Sequence, residues 1–85
     1  MNELTKATIH DILKSMAAKA ALVNITKRDG QYKENMRECP FYSELYGMEH
    51  TLKLMGIDFN FYYDETVQYI TGIEIMDEYI EVARA

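Results

Sequence analysis

The chain has 85 residues, 48% hydrophobic and 27% charged, with one cysteine and a net charge of −5. These values exclude the disordered class, and a single cysteine excludes an internal disulfide. No apolar signal segment follows Met1 and no run is long enough to span a bilayer, so the expectation is one small domain in the reducing cytoplasm, without a membrane.

The first helix is expected from about residue 4 to 26. Ile9, Ile12, Leu13, Met16, Ala20 and Val23 form one apolar stripe, while Lys6, His10 and Lys14 fall four apart on another. Ala17, Ala18, Ala20 and Ala21 make its middle a strong helix former with short side chains, suited to close packing against a second helix or a second copy. Residues 27–39 read as a connection, with Asp29-Gly30 as a turn signal and Tyr32 and Met36 as pins to the body of the fold.

A second helix is expected over 40–55. Pro40 suits its first turn, Cys39 is a weak cap, and Glu44 is placed to meet the helix dipole. Phe41, Leu45, Met48, Leu52 and Met55 form its stripe. Gly56 is placed to close it in the left-handed conformation, with Ile57 folding back, and Gly47 inside it implies a close approach by the first helix.

From Ile57 the period changes to two, with Ile57, Phe59, Phe61 and Tyr63, then Val67, Tyr69, Ile73 and Ile75, which predicts a hairpin over 57–76. A three-residue loop, Asp64 to Thr66, pairs Tyr63 with Val67, Phe61 with Tyr69 and Ile57 with Ile73. That register separates one apolar face from one bearing Asp58, Asn60, Tyr62, Gln68 and Glu74. Ile70 falls on the polar face beside Gly72, whose place in the strand marks a bulge. Residues 77–85 read as a third strand turning back at Met76-Asp77, or as a helix capped by Asp77. The strand is the expectation, because two-stranded ribbons are marginal alone. The fold class is α+β, two helices covering the apolar face of an antiparallel hairpin or three-stranded sheet.

Charge divides unevenly along this order. Through Gly56 there are eight Lys/Arg against seven Asp/Glu; from Ile57 onward Arg84 stands alone against seven acids, a local balance of −6. Phosphates would be repelled by that third, which argues against direct nucleic-acid binding and leaves a basic protein surface as the complementary partner.

Catalytic and metal-binding patterns are sparse. Cys39 and His50 form the only thiol–imidazole pair, and Cys39 reads first as a small residue before Pro40. His10-Asp11 and Glu49-His50 are adjacent in sequence, and neighbouring helical residues point about 100° apart, so neither pair grips one ion. There is no Gly-rich phosphate loop, and Lys27, Arg28, Lys33 and Arg37 are interleaved with acids. No cofactor, metal site or enzymatic activity is expected.

The expectation is therefore a non-enzymatic protein-binding protein, using Asp58, Tyr62, Asp64, Glu65, Ile70 and Glu74 on the polar side of the hairpin. In size and charge it resembles the compact acidic inhibitors made by phages and mobile elements, anti-CRISPR proteins among them. That likeness is one of type, without a shared motif, and implies an acidic third that blocks the groove of a basic nucleic-acid-binding enzyme. The alternative is a homo-oligomeric structural or regulatory subunit, such as a homodimer, paired through the alanine-rich helix or the open edge of the sheet.

Overall fold

A computed structural model describes residues 5–66 and 69–83. In order it contains helix α1 (Lys6–Arg28), a single 3-10 turn (Met36–Glu38), helix α2 (Pro40–Leu54) and strands β1 (Phe59–Tyr63), β2 (Ile70–Ile75) and β3 (Glu78–Glu81). The strands form one antiparallel sheet in the order β1-β2-β3, so the architecture is α+β and the tail is a strand.

The helices start and stop where local chemistry directs. Thr5 caps α1, its hydroxyl accepting from the Thr8 N–H at 3.1 Å; Leu4, the expected first residue, lies outside the described residues. The helix runs two residues past Thr26, to Arg28, and Gly30 then closes it at φ 74°. The Gln31 N–H donates to the Thr26 carbonyl and the Gly30 N–H to the Lys27 carbonyl. Gly56 ends α2 by the same geometry, at φ 71°, with the Ile57 N–H reaching back to the Leu52 carbonyl. Pro40 opens α2 behind Cys39, whose side chain makes no capping bond and is fully buried.

Several expectations along α2 are corrected. Glu44 lies beyond the first turn, away from the helix N-terminus, and pairs instead with Lys19 of α1. Met55 is the exposed C-cap and no longer follows the buried stripe. Gly47 faces open space, so no close approach by α1 accounts for it. In the connection, Met36 packs on the core, whereas Tyr32 is exposed and pins nothing.

The core is built on α1. Ile9, Leu13, Met16, Ala20 and Val23 bury against Ile70, Ile73, Ile75 and Val82 of the sheet side and Leu45 and Leu52 of α2. Side chains of this size contribute roughly 1.5–3 kcal/mol each when fully buried. The two helices do not share the sheet equally: α1 lies on β2 and β3, while α2 packs mainly on α1. The alanines Ala17 and Ala21 sit partly buried against the core.

The hairpin register differs from the expected one. Phe61 pairs with Ile73, four residues beyond Tyr69, and Phe59 pairs with Ile75. An even shift keeps each side chain on its face, so alternation alone does not separate the two registers; the observed one sets both β1 phenylalanines opposite fully buried isoleucines. The expected partner of Tyr63, Val67, and the polar-face residue Gln68 lie outside the described residues. Between the pairs Tyr62–Gly72 and Tyr63–Ile70 the ladder slips by one residue. This bulge, beside the expected Gly72, turns Ile70 inward to 7% exposure and removes it from the polar face. The β2–β3 turn is two residues, Met76 and Asp77, both with positive φ (49° and 72°), the type I′ geometry of tight hairpins built here without glycine.

One polar side chain sits inside this core. Asn24 is 1% exposed; its Nδ2 donates to the Ile70 carbonyl at 2.8 Å, and its Oδ1 accepts from the Ile70 N–H at 2.9 Å. Nδ2 also lies 3.5 Å from the Ala83 carbonyl, just past β3. The last rung between β2 and β3 is Gly72–Glu81, followed by the Val82 N–H donating to Thr71. Asn24 thus supplies both backbone partners of Ile70 where β3 has run out. Truncating it leaves two buried backbone groups unpaired, each worth about 1–3 kcal/mol. Asn24→Ala should lower unfolding stability by about 3 kcal/mol in urea titration, whereas Asn60→Ala, on the exposed face, should change it little.

Candidate functional site

The sheet has two unlike faces because strand side chains alternate. Ile73 and Ile75 of β2 enter the core, while Gly72 and Glu74 face away from the helices together with Asn60 and Tyr62 of β1 and Tyr79 and Glu81 of β3. This outer face holds two aromatic rings in edge contact: Tyr62 and Tyr79 are 5.8 Å apart between centroids at 64°. Glycine at position 72 makes the contact possible, since a Cβ there would run into the Tyr79 hydroxyl and ring. Such an edge-to-face pair adds roughly 0.5–1.5 kcal/mol beyond its buried area. The rings stay open to solvent, Tyr62 at 43% and Tyr79 at 51%.

Glu74 organises the polar groups around them. Its Oε1 accepts from the Tyr62 hydroxyl at 3.1 Å and from Asn60 Nδ2 at 3.4 Å. The bond to Glu74 raises the Tyr62 phenol above its usual value, and the nearby charge of Glu74 adds to it. At the hairpin end Asp58, Asn60, Glu74, Met76 and Asp77 line a shallow groove of about 540 Å³. Three carboxylates therefore border one depression beside the tyrosine pair.

The expected site residues divide. Asp58, Tyr62 and Glu74 share this face, Asp58 and Tyr62 exposed and Glu74 half-buried. Glu65 is exposed in the turn after β1, and Asp64 is held there by its neighbours. The Asp64 Oδ1 accepts from the Thr66 N–H at 2.8 Å and hydroxyl at 2.6 Å. Ile70 does not belong to the site, because the bulge buries it under Asn24. Tyr79, Asp77 and Glu81 are the members that sequence reading missed. Their signal was the Glu-Tyr-Ile-Glu alternation, which places Tyr79 and Glu81 outward only once the tail is taken as a strand pairing Glu74 with Tyr79. Glu78 of the same strand faces α1, where its Oε1 lies 2.9 Å from His10 Nε2 and 3.8 Å from Lys6 Nζ.

A second concavity of about 240 Å³ lies between α2 and β1, lined by Tyr42, Leu45, Glu49, Phe61 and Tyr63 among others. Burial pushes the Glu49 carboxyl up against the opposing pull of Lys53. Burial also raises the Tyr63 phenol, with Glu49 and then Tyr42 adding to it. Beside it Tyr46 stacks on His50 at 6.5 Å. The remaining chemistry-bearing side chains do not converge: Cys39 is buried and His50 exposed. Among the described residues no three His, Cys, Asp or Glu side chains form a group that could hold a metal ion, and no helix is long and apolar enough to cross a membrane.

No protein-family model, characterised protein or solved structure matches the chain.

The raised Glu49 carboxyl carries a pH signature. Between the ordinary carboxylate value and the raised one, the folded state binds more protons than the unfolded, so stability falls as pH rises through that window. Glu49→Gln should therefore be more stable than the parent at about pH 7, with the difference closing below about pH 4, where both forms are neutral. Urea midpoints across the range measure it; a difference that does not vary with pH would refute the assignment.

Proposed function

We propose that the protein acts by binding another protein through the outer face of its sheet, as a compact acidic inhibitor whose partner is basic. A single observation carries this reading: Tyr62 and Tyr79 stand solvent-open against each other, surrounded by Asp58, Glu74, Asp77 and Glu81. Tyrosine supplies contact area at low entropic cost, and carboxylates around it set the sign of the partner and speed its encounter. A groove that normally holds nucleic-acid phosphates has the matching charge, so the narrower reading is occlusion of a nucleic-acid-binding enzyme. The fully buried free thiol of Cys39 suits work in a reducing cytoplasm.

One observation favours the alternative, a homo-oligomeric subunit. Ala18, Leu22 and Ile25 lie at helical spacing along a solvent-facing strip of α1. Thermal stability that rises with protein concentration would support pairing there, and its independence of concentration would remove that reading.

The principal test is retention of partners from nuclease-treated lysate of the source organism, eluted with rising salt. The parent should hold a basic nucleic-acid-handling protein that moderate salt releases. Asp77→Lys combined with Glu81→Lys should lose it by reversed charge, and Tyr79→Ala should weaken it without changing charge. Circular dichroism checks that both variants remain folded; equal retention by both would overturn the sheet-face reading.

A further inference from the structure

β1 is one of the two edge strands of its sheet, and its backbone is only half used. The Met76 N–H donates to the Asp58 carbonyl. By the alternation of an antiparallel ladder, Asp58, Asn60 and Tyr62 then turn their backbone groups toward β2, and Phe59 and Phe61 turn theirs to the open edge. Among the described residues nothing outside the ladder bonds those outward groups. Proteins ordinarily blunt such an edge with lysine, proline or an inward charge. The sequence Phe-Asn-Phe-Tyr-Tyr has none of these.

Charge decides what suits the edge. A second copy pairing about Phe61, the midpoint of β1, would set Asp58 of each chain opposite Asp64 of the other. Like charges would face each other at both ends, between two chains of net charge −5. Asp64 cannot turn aside, because Thr66 holds its carboxylate. An extended segment with a basic residue at each end reverses both contacts. Its alternate side chains would lie on the same face as Phe59, Phe61 and Tyr63, and two of these line the groove of about 240 Å³ against α2. Glu49 and Lys27 both line that groove, so the preference for a basic segment rests on Asp58 and Asp64 at its two ends.

We infer that β1 accepts, as a fourth antiparallel strand, an extended segment of a partner protein with basic residues six positions apart and apolar residues at alternate positions between them. Backbone bonds to Phe59 and Phe61 supply binding, and the groove and terminal carboxylates supply selectivity. The inference rests on the reading that the partner is basic, and names the element that it contributes.

The probe is the capped peptide Lys-Val-Thr-Val-Thr-Val-Lys, followed by fluorescence anisotropy and by amide hydrogen exchange. It should slow exchange at the Phe59 and Phe61 amides and bind about tenfold more tightly than the same peptide with glutamate at both ends. Asp58→Lys, and Asp64→Asn, which keeps the turn acceptor, should each weaken it severalfold. N-methylation of the peptide amides that face β1 should abolish binding while leaving every side chain in place. Equal binding of the glutamate or N-methylated peptide, or no binding of any, would overturn the inference. The sheet-face reading would then stand or fall by the Tyr79 and Asp77/Glu81 variants, which leave the open backbone edge of β1 unchanged. Sedimentation as a dimer with Phe59 and Phe61 already protected would assign the edge to a second copy and overturn it equally.

Discussion

The buried amide of Asn24 is the constraint on which the arrangement turns. It sits on the apolar side of α1, one residue beyond Val23, and meets both backbone groups of Ile70. A side chain there does the work of a missing strand rung, at the one place where the β1–β2 ladder slips and β3 ends. Because the N–H and C=O of one residue meet such a bidentate side chain only in one orientation, the contact ties the rotation of α1 over the sheet to the inward turn of Ile70. Past the bulge, alternation along β2 buries Ile73 and Ile75 under α1 and turns Gly72 and Glu74 outward.

The two sides of the sheet consequently carry different chemistry. On the covered side, the acid Glu78 is drawn toward His10 and Lys6, linking the first turns of α1 to β3. On the open side, Glu74 gathers Tyr62 and Asn60 and leaves Asp58, Asp77 and Glu81 to solvent. Exposed ion pairs such as Lys6–Glu78 contribute at most about 1 kcal/mol. Their effect here is chiefly one of placement: they take one carboxylate out of the acidic set, while Asp58, Glu74, Asp77 and Glu81 remain around the outer face.

Much of this was legible in the residues, for identifiable reasons. The stripes of α1 and α2, the proline that opens α2 and the glycine that closes it are local signals, and local structure obeyed them. The third strand was legible because a lone hairpin is too weak. What escaped notice depended on contacts far apart in sequence. Asn24 in a helix reads as a surface residue until Ile70, 46 positions away, presents its backbone. A bulge moves Ile70 from one face to the other without changing any residue type, and a register shift of four preserves the same alternation. Gly47 misled because a helical glycine suggests a neighbour, and here there is none. Of the candidate site, Asp58, Tyr62 and Glu74 followed from alternation within β1 and β2. Tyr79 did not, because its role depends on the missing side chain of Gly72 across the ladder.

The packing of α1 on β3 also sets a schedule for the nascent chain. The helix is made first and the strand that completes its burial last, with His10 and Glu78 separated by 68 positions. At ordinary translation speeds of about 5–20 residues per second, the interval between Val23 and Ile80 lasts roughly 3–11 s. Until β2 and β3 follow, the stripe of Ile9, Leu13 and Met16 has at most α2 to shelter it. An amphipathic helix exposed for seconds is a substrate for chaperones, and the alanines that thin this one reduce the apolar surface it presents while it waits.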